Sequence, residues 1–305
     1  MDAVRRQPSS VRSALAGAPI SWGVCEVPGW GAMLPPARVF EEMASLGLGA
    51  TELGPVGDWL PLDAAAIRRA TDAYDLQLVG GFVPLALHRD DATTAAELDR
   101  AQRIGSVMAQ AGADTFVVAL VEDDAWSAPA ALDEAAWWQL ATHLEQLSLV
   151  VADLGMTAVV HPHQGTLIER AEAVDRLASL IDVAWCLDPG HLALGGYDPL
   201  AFVERYGARV LHVHLKDIDL RVAARLNAGE LTLMAAVQAG LFVPLGTGDA
   251  GIADVVAALD ARGYDRWMVL EQDCAIVGPE PAPGDGPVLA VAESVRFLAG
   301  MEAAR

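Results

Sequence analysis

Eight short apolar runs alternate with eight stretches of helical spacing, and this alternation restricts the folds open to the chain more than any other feature. The runs are Ala18–Trp22, Gly49–Leu53, Gln77–Val83, Thr115–Leu120, Thr157–His161, Val183–Leu187, Val210–Leu215 and Trp267–Glu271. Pro36–Leu46, Asp63–Tyr74, Thr93–Ala111, Leu132–Leu154, Leu167–Leu180, Pro199–Tyr206, Ile252–Arg262 and Pro287–Met301 repeat apolar residues at intervals of three and four, the spacing that lines one face of a helix. Asp63 and Asp198 are placed as N-caps, and Gly47, Gly112, Gly155 and Gly263 as helix stops. Eight strand–helix units over roughly 285 residues match an α/β fold of the (β/α)8 TIM-barrel type.

An open, doubly wound sheet is the competing architecture. It calls for a glycine-rich phosphate turn after the first strand, and Ile20-Ser21-Trp22-Gly23-Val24-Cys25 does not supply one. The expected organisation is a flexible segment over 1–16 and a single barrel domain over 17–305. Asp217–Gly251 is too long for a plain connection. Its middle, Val222–Leu241, reads as one or two added helices, a helical insertion over about 218–250 that could act as a lid. Ile276–Gly286, rich in Pro and Gly, reads as an exposed loop.

Three segments in the second half end apolar runs in metal-ligating side chains: Val160-His161-Pro162-His163, Cys186-Leu187-Asp188-Pro189-Gly190-His191 and His212-Val213-His214-Leu215-Lys216-Asp217. Five of the seven histidines sit there. In a barrel the C-terminal strand ends form the active face, so these segments meet at one rim, joined by Glu271 after the last strand and Glu52 near the end of the second. His161, Asp188, His214 and Glu271 give one ligand from each of four successive barrel strands. Mixed imidazole and carboxylate donors with open positions suit Mn²⁺ or Co²⁺ better than a closed structural zinc site. His212 shares a face with His214 and is assigned a supporting hydrogen bond. Lys216 and Asp217 read equally as site groups or as a solvated pair, and Glu52 as a site carboxylate or a structural partner. Trp22, Trp30 and Trp59 offer indole faces for the C–H faces of a polyol, or ordinary packing. Gly246-Thr247-Gly248 reads as a simple loop or as a turn able to hold an anion.

Composition narrows the partners. Twenty Lys and Arg against 41 Asp and Glu give a net charge of −21, which disfavours nucleic acid and anionic membranes. Cys25, Cys186 and Cys274 are far apart, with no CxxC pair, so no disulfide framework is expected. No signal-like or membrane-length apolar run appears, and a cytoplasmic location is the default expectation. A homo-oligomer is left open.

The quoted motifs carry a resemblance. Ala18-Pro19-Ile20-Ser21-Trp22-Gly23-Val24, Glu52-Leu53-Gly54-Pro55, His161-Pro162-His163-Gln164-Gly165-Thr166, Leu187-Asp188-Pro189-Gly190-His191 and His212-Val213-His214-Leu215-Lys216-Asp217 resemble the sugar-phosphate isomerase/epimerase-like TIM barrels, xylose-isomerase-like, and within them the inosose dehydratase branch. The likeness runs from about Gly17 to Met301. It implies a metal set of Glu, Asp, His and Glu on strands five to eight. Asp188, His214 and Glu271 fit, while His161 stands where many relatives have Glu. It implies Mn²⁺ or Co²⁺, and loss of water from 2-keto-myo-inositol to give a trihydroxycyclohexane-dione. Under that implication Glu271 or His163 is the base and His191 or Lys216 the acid, with Lys216 alternatively holding an enolate oxygen. Trp22, His163, His191 and Lys216 would meet the substrate, a cyclitol or polyol ketone, and Glu52 joins the catalytic group. A sugar isomerase or epimerase, a 3-dehydroshikimate-type dehydratase and a non-catalytic polyol-binding barrel are the alternatives.

Overall fold

The computed structural model describes residues 15–25, 27, 29–55, 57 and 59–303. Its strands are Leu15–Gly17 (β1), Ala50–Leu53 (β2), Gln77–Leu85 (β3), Thr115–Leu120 (β4), Thr157–Val160 (β5), Trp185–Leu187 (β6), Val210–Leu215 (β7), Asp217–Ile218 (β8), Phe242–Val243 (β9) and Met268–Leu270 (β10). Eight of them close into a barrel in the order β1-β10-β7-β6-β5-β4-β3-β2. Every barrel pairing is parallel. β8 and β9 form a separate antiparallel pair. The alternation of runs and helices is thus a (β/α)8 TIM barrel.

Local chemistry starts the helices where the sequence places caps. Asp63 Oδ1 accepts the Ala66 N–H at 2.7 Å, and Asp198 Oδ1 accepts those of Leu200 and Ala201 at 2.8 and 3.1 Å. Asp90 and Asp133 do the same for Asp91–Ala111 and Glu134–Asp153. Each such cap stabilises its helix by about 1 kcal/mol. The apolar faces of these helices pack on the outside of the barrel around Phe40, Phe116, Leu144, Trp185 and Phe202, all essentially sealed from solvent.

The barrel interior is built differently. One inner cluster consists of Ala16, Ala18, Ala50, Val79 and Val269, the other of Val117, Val159 and Cys186. Side chains two apart on a strand share a face. Val159 therefore predicts the direction of His161, Cys186 that of Asp188, Val269 that of Glu271, and Ala50 that of Glu52. Small residues at the inner positions of β1 and β2 leave volume that Glu52, His212 and His214 occupy.

Three details differ from the sequence expectation, and the loop and the insertion follow it. The first strand is Leu15–Gly17 rather than Ala18–Trp22, so the barrel begins within the segment expected to be flexible; residues 1–14 lie outside the described residues. Pro19 has no N–H to give a sheet, and Pro19–Trp22 forms a 3-10 turn closed by Gly23 in the left-handed region, φ 78°. A short helix, Pro189–Leu194, follows β6 directly, with Asp188 as its cap. The Ile276–Gly286 loop is mostly exposed, but Arg38 ties it down through Glu280 and the carbonyls of Pro281, Ala282 and Asp285. The insertion carries two helices, Leu220–Asn227 and Leu233–Gln238, and returns to the barrel through β9.

That return is pinned by Asp217. Its carboxylate accepts the N–H groups of Ile218, Gly246, Gly248 and Ala250 at 2.9, 2.9, 3.1 and 3.0 Å. The Gly246-Thr247-Gly248 turn does hold an anion, and the anion is the chain's own. A Cβ on Gly248 would stand 2.5 Å from Asp217 Oδ1, which is why the close approach requires glycine.

Candidate functional site

His161, Asp188, His214 and Glu271 project from the ends of β5, β6, β7 and β10 into one buried cluster. Their ligand atoms all lie within 4.8 Å of one another. The outward atom of each side chain is already engaged. His161 Nδ1 donates to the Pro162 carbonyl at 2.8 Å. Asp188 Oδ1 accepts the His191 N–H at 2.9 Å. His214 Nε2 faces Glu52 Oε1 at 3.0 Å, and Glu271 Oε1 takes Lys216 Nζ at 2.7 Å. What remains points inward: His161 Nε2, Asp188 Oδ2, His214 Nδ1 and Glu271 Oε2. His214 Nδ1 stands 3.1 Å from His161 Nε2 and 2.8 Å from Glu271 Oε2.

Among the described residues two other donor groups have comparable spacing: His161, Cys186 and His214, and Glu52, His212 and His214. The first includes a thiol that burial pushes up to about 11 and contains no carboxylate. The second is satisfied internally, with Glu52 Oε1 2.7 Å from His212 Nε2 and 3.0 Å from His214 Nε2. Only the four-residue set contains an orphan. Asp188 Oδ2 is buried without a hydrogen bond, 3.7 Å from His161 Nε2 and 3.6 Å from Lys216 Nζ. Burial pushes the Asp188 carboxyl up to about 7, with Lys216 only partly opposing it. An unpartnered buried carboxylate oxygen is costly, and a divalent ion would meet that need. The donor set, two imidazole nitrogens and two carboxylate oxygens, fits such an ion. Without one, burial acts to lower His214, but Cys186, Glu271 and Glu52 outweigh it and hold His214 well above the ordinary imidazole range.

The surrounding charges are consistent with this. Burial holds His161 well below the ordinary imidazole range, with His214 and His163 adding to the effect, so its Nε2 lone pair is free. Burial raises Glu271, but His214 and Lys216 more than offset it and hold its carboxyl well below the usual range. Burial acts to lower Lys216, yet Asp273, Glu271 and Asp188 drive it up and keep it a cation. Glu52 is held down to about 2 because His214 and His212 outweigh its burial.

Lys216 is the centre of a second group beside the four ligands. Its Nζ lies 2.8 Å from Asp273 Oδ1 and 3.0 Å from His191 Nε2, and 4.8 Å from the centroid of the Phe242 ring. A Cβ on Gly190 would lie 2.7 Å from Lys216 Cγ, so the Pro189-Gly190-His191 turn needs glycine to seat the lysine. His163 and His191 rings stand 4.0 Å apart, and His163 Nδ1 donates to the Gln164 carbonyl at 2.8 Å, leaving its Nε2 free. Burial, and after it Lys216, pushes His163 down to about 4.

The sequence-chosen residues divide accordingly. His161, His163, Asp188, His191, His214, Lys216 and Glu271 converge, and Glu52 lies behind His214 instead of facing the open side. Trp22 is corrected. It is fully buried and its indole N–H donates to Glu42 at 2.8 Å, so it packs in the core and offers no face to a substrate. Trp30 and Trp59 likewise spend their N–H groups on the carbonyls of Cys274 and Leu34. The aromatic wall is instead Phe82 and Trp126, stacked at 6.2 Å and 10°, with Trp126 5.6 Å from His163. Trp126 adopts φ 55°, a left-handed backbone rare for a bulky residue. Asp273 and Phe242 also escaped the sequence reading. Asp273 had one usable signal, its position two residues beyond Glu271.

A closed (β/α)8 barrel with imidazoles and carboxylates gathered at the C-terminal strand ends defines a class of barrel enzymes. Within that class the chain belongs to the xylose isomerase-like TIM barrel family, whose sequence profile matches residues 40–300. It is 31% identical to the inosose dehydratase of Geobacillus kaustophilus (strain HTA426) over 276 residues, 86% of this chain and 88% of that protein. It is also 31% identical over 264 residues to the rhizopine catabolism protein MocC of Rhizobium meliloti, 84% of this chain and 80% of that one. In fold it is similar to an L-ribulose 3-epimerase structure, with a TM-score of 0.69 at 14% identity and 95% coverage of both chains. No helix among the described residues is long and apolar enough to cross a membrane.

Proposed function

We propose that this chain is a metal-dependent hydro-lyase that removes water from 2-keto-myo-inositol, giving a trihydroxycyclohexane-dione. The observation that carries the reading is the orphan Asp188 Oδ2 among four inward-facing donors. Relatives named inosose dehydratase, aligned over most of both chains, support the substrate class. His161, Asp188, His214 and Glu271 would hold the ion, with Mn²⁺ or Co²⁺ suited to the donors. When bound, such an ion supplies Lewis-acid polarisation of the ketone, which acidifies the neighbouring C–H.

The protein groups have separable tasks. His163, neutral and with a free Nε2, is placed to take the α-proton, whereas Glu271 Oε1 is held by Lys216 and its Oε2 faces the four-donor cluster. Lys216 is held so firmly as a cation that it suits a fixed charge facing the enolate oxygen. His191, whose ring stands 4.0 Å from that of His163, would carry the proton taken by His163 to the departing β-hydroxyl, which leaves as water, while Lys216 Nζ holds its Nε2 in place. Phe82 and Trp126 give the ring's C–H face a surface to lie on.

His161 favours dehydration over epimerisation. A carboxylate pair that removes and returns a proton on two faces needs an acid at the end of β5, and an imidazole stands there. Incubation of the Mn²⁺- or Co²⁺-loaded protein with inosose, followed by mass spectrometry, tests the reading. A product lighter by one water is expected. A product of unchanged mass would make the chain an isomerase or epimerase, and tight binding without turnover would make it a polyol-binding barrel.

A further inference from the structure

We infer that Glu52 is a positioning residue that decides which nitrogen His214 turns toward the four-donor cluster. The inference rests on the cation-binding reading above and adds a group outside the ligand set. Glu52 sits on β2, 162 positions before His214 in the chain, and reaches it across the barrel interior with 3% of its surface exposed. One oxygen, Oε1, meets both His212 Nε2 and His214 Nε2, at 2.7 and 3.0 Å.

An ionised carboxylate only accepts, so each imidazole that faces it must carry its hydrogen on Nε2. A ligating imidazole has to offer the other nitrogen bare. For His214 that nitrogen is Nδ1, and Nδ1 is the one aimed at His161 Nε2 and Glu271 Oε2. His161 reaches the same point by the opposite choice. The Pro162 carbonyl holds its Nδ1–H, which leaves Nε2 bare.

His214 Nδ1 meets Glu271 Oε2 at 2.8 Å, so in the empty cluster a hydrogen lies between them. A cation can take Nδ1 only by displacing that hydrogen, and the imidazole then keeps one, on Nε2. Glu52 holds that hydrogen, so Nδ1 is the nitrogen left to ligate; without Glu52 the ring can keep its hydrogen on Nδ1 and leave the cluster closed. Histidine ligands that lose such an outer carboxylate commonly lose about 10–100-fold in metal affinity. Gly80 lies opposite Glu52 on β3, where a Cβ would press on the Thr115 carbonyl oxygen at 3.0 Å and meet Glu52 Oε1 only in ordinary contact at 3.5 Å.

Two measurements test this on the full chain. In Zn²⁺-loaded wild-type protein, ¹⁵N NMR of the histidines should give His214 an Nε2–H and a metal-bound Nδ1. In parallel, calorimetric titration with Mn²⁺ should give a Kd raised about tenfold in Glu52→Gln and toward 100-fold in Glu52→Ala. Glu52→Gln keeps the shape of the side chain, so it reports even if Glu52→Ala does not fold. A purely structural role would lower the melting temperature and leave Kd in place. Mn²⁺ affinity within twofold of wild type in Glu52→Gln, or a His214 bound through Nε2, overturns the inference. If wild-type protein takes up neither ion, it is the cation-binding reading that fails, and the two failures are distinct.

Discussion

The two halves of this barrel are made of the same units and end differently. β5, β6, β7 and β10 run into His161, Asp188, His214-Leu215-Lys216 and Glu271, while β1 to β4 run out at Gly17, Leu53, Leu85 and Leu120. Burial does not separate them, since every one of those polar groups is less than a tenth exposed. What separates them is the residue placed two positions beyond the last inward-facing core side chain. β5, β6 and β10 spend that position on His161, Asp188 and Glu271. β1 and β4 spend it on Ala18 and Ala119, β2 spends it on Glu52, which serves the donors from behind, and Phe82 and Trp126 form the wall nearest them. Chemistry can thus be confined to one arc of a closed barrel without loosening it.

Four substitutions sharpen or break that contrast. Asp188→Ala should have the largest effect. It removes the one oxygen of the four-donor set that is buried without a hydrogen bond, so metal analysis after dialysis should find a loss beyond the about 10–100-fold typical of outer-shell changes. Full metal content in that variant would mean the donor arc is misdrawn. Lys216→Met comes next: turnover of inosose should fall about 10²–10³-fold through loss of a fixed charge, with the ion retained. Trp126→Ala, in the wall arc, should raise KM about tenfold and leave kcat within a fewfold, because stacking contributes about 0.5–1.5 kcal/mol beyond area. Trp22→Phe is the smallest change. It leaves Glu42 short of a donor and should lower stability by about 1–3 kcal/mol, with KM unmoved. A KM shift there as large as for Trp126→Ala would return Trp22 to the substrate wall.

Much of the donor arc was legible because two short periods coincide on it. An apolar run that ends in His or Asp fixes both the strand and, by alternation, the direction of its last side chain. The wall arc offered no such coincidence. The first strand was displaced by three residues because Ala18-Pro19-Ile20 is apolar enough to pass for sheet, and the tryptophans after it followed that error into an imagined pocket. Trp126 lies in a turn where no period operates and where Asp123 holds the backbone through the N–H groups of Ala125 and Ser127. Asp273 looks like surface acid in a run of polar residues, and only the depth of Lys216 reveals it. Glu52 was visible as a strand-end carboxylate, but its partner depends on closure of the barrel, which no local pattern encodes.

Lys216 and Asp217 are neighbours in sequence with opposite obligations. The lysine faces Glu271 and Asp273, and the aspartate gathers the N–H groups of the 246–250 turn. The excursion between them and that turn is therefore rooted at both feet in a single residue, and its only ring under the lysine, Phe242, lies within the second foot. Residues 220–240 lie between those feet and touch the core through Ala223, Ala236 and Val237. A graft of different length that preserves Asp217 and the stretch from Phe242 to Ala250 should reshape what is admitted at the mouth without disturbing the floor.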